Sequence, residues 1–326
     1  MTEPAAIEAP ATQTALWSDY LQLLKPRVMS LVVFTAATGF VCSGAPVNPL
    51  LAIVAIVCIA VGAGASGSLN MWFDADIDAK MRRTRGRPVP MGKVLGAEAA
   101  TLGIVLSLFA VMLLGMTTNW LAAGMLAFTI FFYVVVYTMW LKRWTPQNIV
   151  IGGLAGALPP AIGWAAATGE APLNAWLMVL IIFMWTPPHA WALALYTSED
   201  YAKVGVPMMP VAKGAPSTRK QIFLYALAFV PICLVPAFTG LGGPAYLAVA
   251  AIGGAVFLLL AFRVFRSKAG DAPDERIEGE DRLYAVRAGS RDARNLFAFS
   301  ILYLTLLFAS LLVEKLSGIA PLELLK

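Results

Sequence analysis

The sequence predicts an all-α membrane protein, nine transmembrane helices bundled around a central cavity open to the cytoplasmic side. Three observations carry this. Hydrophobic residues are 59% of the 326 and charged residues 13%, with a mean hydropathy of +0.75, whereas soluble globular chains carry roughly 25% charged residues. The apolar residues gather into nine runs near the ~20 needed to cross a bilayer. The cations are sorted by loop, nearly all to one side.

The opening MTEPAAIEAPATQTALW has neither the basic start nor the apolar centre of a signal peptide. Residues 1–20 are therefore expected to be a disordered cytoplasmic tail, 21–318 a single nine-helix domain, and 319–326 a short non-cytoplasmic tail. The expected spans are 28–46, 50–72, 96–116, 120–141, 147–167, 173–196, 221–241, 244–265 and 296–314. Turn chemistry such as SGAPVNP, GEAPLN and GLGGP separates them. Of the 24 Lys and Arg, all but Lys315 and Lys326 fall on the side of the N-terminus. They stand before the first span (Lys25, Arg27) and after the second (Lys80 to Lys93). The rest follow the fourth (Lys142, Arg143), the sixth (Lys203 to Lys220) and the eighth (Arg263 to Arg294). That side is expected to be cytoplasmic and the C-terminus outside, as an odd number of spans requires. The net charge of +5 thus reports orientation, and no nucleic-acid partner is expected. Cys42, Cys58 and Cys233 lie in or beside apolar runs without a CxxC pair and read as small buried side chains.

Polar chemistry concentrates in NMWFDADIDAKMRRTRGRPVP, Asn70 to Pro90. At ~100° per residue, Asn70, Asp74 and Asp78 span about 80° of one helix face, while Asp76 points elsewhere. The helix enters as VGAGASGSLN, small residues that let neighbours approach closely, so this face looks into the bundle. Two carboxylates and an amide oxygen are hard ligands suited to Mg²⁺ that also bridges substrate phosphate. Arg82, Arg83, Arg85 and Arg87 follow, either as bidentate phosphate contacts or as positive-inside anchors. Acids for a metal and arginines for phosphate, at the mouth of an apolar cavity, suggest an amphiphile with a diphosphate head.

The sixth span ends in MWTPPHAWALALYTSEDYAKVGVPMMPV. Glu199, Asp200 and Lys203 form a second polar cluster at the same membrane face, and Pro187–Pro188 is expected to kink or break the helix. His189, the only histidine, is a hydrogen-bonded packing residue, a contact or axial ligand to a metalloporphyrin, or a proton-handling group. Lys142, Arg143, Thr145 and Asn148 form a third cluster, and Gly152, Gly153 and Gly156 thin the helix after it. Trp72, Tyr133, Tyr137, Trp185, Trp191 and Tyr196 lie near these motifs, as an interfacial belt or as shelter for a carbocation.

On these residues the chain resembles the UbiA-type intramembrane prenyltransferase superfamily, and within it the branch that farnesylates heme. The resemblance runs from about Lys25 to Phe308. It rests on LLKPRV, on N-x-x-x-D-x-D-x-D-x-x-M-x-R-T-x-x-R-P at Asn70–Pro88, and on YTMWLKRWTPQNIVIGG. WTPPHAWALAL, DYAKVGVPMMP and ARNLFAFSILYL complete it. The first motif indicates only the superfamily; WTPPHAWALAL and GVPMMP point to the heme branch. Where quinone-type relatives show D-x-x-x-D, this chain has Tyr196 and Asp200, and Glu199 falls on another helix face. The resemblance implies transfer of farnesyl from farnesyl diphosphate to a vinyl group of protoheme IX, with water addition, in the cell inner membrane. It implies Mg²⁺ on Asn70, Asp74, Asp78 and Asp200, and diphosphate on Arg83, Arg87, Lys142, Arg143 and Lys203. It implies heme near His189, and hand-off to a heme A synthase or terminal-oxidase assembly factors. A prenyltransferase for a quinone precursor and a heme-binding transporter or chaperone are the competing expectations.

Overall fold

The computed structural model describes residues 14–271, 286 and 289–322. Among them it is all helix. The helices α1 (Trp17–Leu23) and α2 (Pro26–Cys42) come first, then α3 (Pro49–Phe73) and a single turn, α4 (Ala75–Asp78). After an irregular stretch come α5 (Gly96–Thr117) and α6 (Trp120–Phe131). The latter continues without a break as a π-helix (Phe132–Leu141) and one α-turn, α7 (Lys142–Trp144). Then follow α8 (Asn148–Ala157), α9 (Pro159–Thr168), α10 (Leu173–Leu195), α11 (Ser198–Ala202), α12 (Met209–Leu234), α13 (Pro244–Arg266) and α14 (Arg291–Leu316). Among the described residues eight spans are long and apolar enough to cross a bilayer, and α1 with α2, bent by 52°, makes nine when counted as one.

Helix starts follow local chemistry. Pro26, Pro49, Pro159 and Pro244 each open a helix, where the missing N–H would be unpaired in any case. Asn48 and Asn119 accept the Leu50 and Ala122 amides at 2.8 and 2.9 Å, as N-caps do. On α5, Ile104, Val105, Leu108, Phe109 and Met112 are all more than half exposed, a face that suits lipid contact because water would not tolerate so large an apolar patch.

Close crossings hold the bundle. A Cβ on Gly39 would run into the Pro160 carbonyl, and one on Gly163 into the Ala36 carbonyl, so α2 and α9 touch backbone to backbone. The Ser68 hydroxyl on α3 donates to the Ala99 carbonyl on α5 at 2.7 Å. Glu314 of α14, buried, accepts the Gly243 and Tyr246 amides at 2.6 and 2.9 Å. It caps α13 from another helix, satisfying amides that have no partner within their own.

Three expectations shift. Helix α10 runs on through Pro187 and Pro188 as one element, so that pair does not break it. The divided span is the preceding one, at Leu158, where Pro159–Pro160 start α9. Helix α12 begins well before the expected 221, because Met209–Pro210 start it and Gly214, at φ 78° and ψ 160°, absorbs a bend that a side chain would resist. The expected tail of 1–20 is helical from Trp17, since Asp19 is buried, accepts the Leu16 amide at 3.0 Å and faces Lys93 at 3.7 Å. Residues 1–13 and 323–326 of the expected tails lie outside the described residues.

Candidate active site

Asn70 opens the last turn of α3, Asp74 caps it, and Asp78 closes α4. The helix is interrupted at Asp74, yet the Asp74 amide still bonds to the Asn70 carbonyl (3.0 Å) and the Asp78 amide to the Asp74 carbonyl (2.8 Å). The i, i+4, i+8 face therefore survives the interruption. All three side chains are buried, Asp74 completely. Asp76 is on the other side, 59% exposed, and gives both oxygens to Arg143 at 2.6 and 2.8 Å. Those bonds hold the Asp76 carboxyl below its ordinary range.

Cations from distant parts of the chain converge on these acids. The Lys142 ammonium bonds to Asp74 Oδ2, and Arg143 Nη2 lies 3.7 Å from Asp74 Oδ1. Arg87 Nη1 bonds to Asp78 Oδ2 at 2.5 Å. Lys25 Nζ donates to Asn70 Oδ1 at 2.6 Å, while Asn70 Nδ2 donates to Asp74 Oδ2 at 2.7 Å and to Thr138 Oγ1 at 3.1 Å. Thus Asn70, Asp74, Asp78, Arg87, Lys142 and Arg143 meet in one place. Arg83 and Lys203 stand exposed at the same polar end without an ion pair among the described residues.

Asp200 is turned to a different partner. Its Oδ1 accepts the Arg82 amide at 3.0 Å and its Oδ2 the Arg83 amide at 3.4 Å. The carboxylate fastens α11 to the arginine-rich stretch. Among the described residues no three Asp, Glu, His or Cys side chains gather as metal ligands. Asp74 Oδ1, however, is a buried acceptor with no hydrogen bond, Arg143 standing off from it at 3.7 Å, and a buried acceptor left so costs free energy unless a closer partner completes it. Two carboxylates and an amide fit Mg²⁺, which keeps waters and takes its remaining oxygens from substrate phosphate.

The π-helix decides which side chains share this face. At ~100° per residue an α-helix would put Tyr133 and Lys142 on opposite sides. A π turn holds about 4.4 residues, so two turns bring Lys142 back over Tyr133. Thr138 lies between them, its hydroxyl donating to the Tyr133 carbonyl at 2.9 Å. The winding thus presents Lys142 to Asp74, Thr138 to Asn70 and Tyr133 to the space beyond.

That space is a cavity of about 710 Å³ between α2, α3, α6, α8, α9, α10, α14 and the π-helix. Lys25, Tyr133, Tyr137, Gly152, Trp185 and His189 are in its wall. A side chain on Gly152 would collide with the Tyr137 ring. Trp191 is instead in the core, and Trp72 is partly exposed against Gly96. Tyr196 sits edge-on to Phe297.

Lys25 belongs both to the cavity wall and to the acid cluster. It is the only described non-glycine residue with positive φ, at 51° with ψ 55°. A residue before proline avoids such geometry, and strain of this kind concentrates at functional sites. Composition marked Lys25 only as a topological cation; its place before Pro26 was the available signal. Thr138 and Ser300 lie within the motifs YTMWLKRWTPQNIVIGG and ARNLFAFSILYL, but nothing in their residue type singled them out.

The UbiA prenyltransferase family model matches residues 31–277. The chain belongs to the UbiA prenyltransferase family. Its sequence is 69% identical to the protoheme IX farnesyltransferase of Caulobacter vibrioides, covering 100% of both chains. Its fold is similar to that of a digeranylgeranylglyceryl phosphate synthase (TM-score 0.72, 16% identity, 92% of this chain and 98% of the other). It is also similar to a UbiA homologue from Archaeoglobus fulgidus bound to GPP and Mg²⁺ (TM-score 0.59, 14% identity, 88% and 99%). At those identities the likeness is one of fold. In this UbiA-family protein the acids and cations meet in one cluster, and Lys25 joins that cluster to the aromatic-walled cavity.

Proposed function

We propose that this protein transfers the farnesyl group of farnesyl diphosphate to a vinyl group of protoheme IX. Water adds in the same conversion, giving heme O and diphosphate. The observation that carries the reading is the continuity of a buried acid and cation cluster with an apolar, aromatic-walled cavity, joined at Lys25. The full-length identity to a protoheme IX farnesyltransferase supports the choice of acceptor.

The residues suit each demand of that reaction. Asn70, Asp74 and Asp78 would hold Mg²⁺, which when bound neutralises charge on the diphosphate as it leaves. Lys142, Arg87 and Arg143 are released from carboxylates as the diphosphate arrives and turn their donors to its oxygens, with Arg83 and Lys203 at the entrance. Such aimed donors often supply the largest share of a rate enhancement. Asp200 contributes by holding the Arg82–Arg83 backbone in place. Breaking the carbon–oxygen bond leaves an allylic cation, and the faces of Tyr133, Tyr137 and Trp185 stabilise it away from water. The vinyl carbon then supplies the electron pair for the new carbon–carbon bond, and the cation left on its neighbour is captured by water, which loses a proton to leave the hydroxyl.

The cation-rich end of the bundle faces the cytoplasm, with the N-terminus on that side and the C-terminus across the inner membrane, as the loop charges imply. The prenyl tail lies between helices in the lipid-depth cavity. Release to a heme A synthase or a terminal-oxidase assembly factor fits a product this insoluble.

The test is to incubate membranes containing the protein with labelled farnesyl diphosphate, Mg²⁺ and either heme or 4-hydroxybenzoate. Label is expected in a farnesylated heme alone. Label in the benzoate adduct, with none on heme, would overturn the acceptor assignment.

A further inference from the structure

His189 projects from α10 into the cavity wall, and its surroundings hold it in one orientation and one protonation pattern. The imidazole is stacked between the Trp185 ring, centroids 4.0 Å apart and 18° from parallel, and the Phe297 ring at 4.6 Å and 22°. Trp185 is itself pinned by its indole N–H, which donates to the Ser300 carbonyl at 2.8 Å. Only the edge of the imidazole is left open to the cavity.

The hydrogen bonds settle the tautomer. Ser300 Oγ lies 2.6 Å from His189 Nδ1 and 2.6 Å from the Phe297 carbonyl. The hydroxyl has one proton to give. Giving it to Nδ1 would set two oxygen lone pairs against each other at the Phe297 carbonyl. Giving it to the carbonyl, one turn back along α14, leaves Oγ to accept Nδ1–H. The imidazole is then neutral, with its lone pair on Nε2, and Nε2 has no hydrogen-bond partner among the described residues. A neutral imidazole whose far nitrogen is anchored through N–H is the usual form of a metal-bound histidine.

We propose that His189 Nε2 ligates the iron of the porphyrin substrate, and that Ser300 is a positioning residue which fixes the tautomer and ring orientation for that bond. This rests on the heme reading above and adds what orients the acceptor. A single axial bond from a ring clamped between two aromatic faces sets the height of the porphyrin in the cavity. It leaves the porphyrin edge, where the vinyl groups are, to meet the farnesyl chain.

The protein, purified in lipid nanodiscs, is titrated with ferric protoheme and followed by absorption and electron paramagnetic resonance. Wild type is expected to give a histidine-ligated spectrum. His189→Gly should lose it and regain it on adding imidazole. Ser300→Ala should bind heme more weakly by about 10–100-fold, the usual effect of losing a partner of a ligating histidine, with an altered ligand field, and Ser300→Thr should restore both. Metal-free protoporphyrin reports whether the cavity is intact, and its affinity should be equal in wild type, His189→Gly and Ser300→Ala. A wild-type spectrum retained in His189→Gly without imidazole would overturn the iron bond while leaving the heme reading standing. Unequal metal-free porphyrin binding would reduce His189 and Ser300 to packing. Absence of any heme binding by wild type would sink the heme reading itself.

Discussion

Asp74→Asn keeps the shape of a completely buried side chain and removes its charge. In the native protein Asp74 Oδ2 takes the Lys142 ammonium and the Asn70 amide, and Oδ1 faces Arg143 at 3.7 Å. The substitution leaves the Lys142 side chain, 16% exposed, beside a neutral amide. Removing one partner of a buried ion pair costs about 3–5 kcal/mol. Residual solvent at Lys142 and the nearby Arg143 place the expected loss at the low end, about 3 kcal/mol. Lys142→Met in the same background removes the stranded cation, and replacing both charges of a buried pair is often close to neutral. The double variant should therefore recover most of the stability. Turnover should not recover, because the carboxylate is also a metal ligand in the proposed reaction; a loss of about 10²–10³-fold is expected in both variants. Thermal unfolding in nanodiscs gives the first quantity and labelled-farnesyl transfer to heme the second. Turnover by Asp74→Asn within about threefold of wild type, a barrier change under about 1 kcal/mol, would refute the reasoning. So would recovered activity in the double variant, which would reduce Asp74 to a counter-ion for Lys142.

Lys25→Met should raise the KM for farnesyl diphosphate by about tenfold, the worth of one charge-assisted contact; an unchanged KM would confine Lys25 to a structural role. Chelating divalent ions should stop turnover and adding back Mg²⁺ should restore it, and turnover unaffected by the chelator would contradict the metal assignment. Gly39→Ala should lower stability by about 1–3 kcal/mol through overpacking against the Pro160 carbonyl, read as a lower melting temperature. Glu314→Ala should cost about 1–3 kcal/mol by orphaning the Gly243 and Tyr246 amides, with turnover per folded molecule unchanged. Lost turnover at full folding would place Glu314 in the chemistry.

Membrane insertion is additive along the chain, residue by residue, and this is why hydropathy located the spans. The expected 50–72, 96–116 and 244–265 are α3, α5 and α13 to within a residue or two at each end. Helical spacing is equally local, so the common face of Asn70, Asp74 and Asp78 and the outward turn of Asp76 were legible before any contact was known. Residue type and spacing alone made Asn70, Asp74 and Asp78 candidate ligands.

What tertiary structure decided are the partners. Lys25 and Asn70 are 45 residues apart, Lys142 and Asp74 68, His189 and Ser300 111, and Arg82 and Asp200 118. No periodicity connects such pairs. The exchange of α for π winding across Phe132–Leu141 likewise has no signature in the residue pattern, and it is what presents Lys142 to Asp74 and Thr138 to Asn70. The same holds for α10 continuing through Pro187 and Pro188, where neighbouring helices outweigh a local preference to break. The chain alone determined that this is a polytopic membrane protein with acids and arginines at one face. Packing among distant segments decided which cation neutralises which acid and which nitrogen of His189 is left open, because burial makes every unpaired polar group costly and only the assembled bundle supplies the partners.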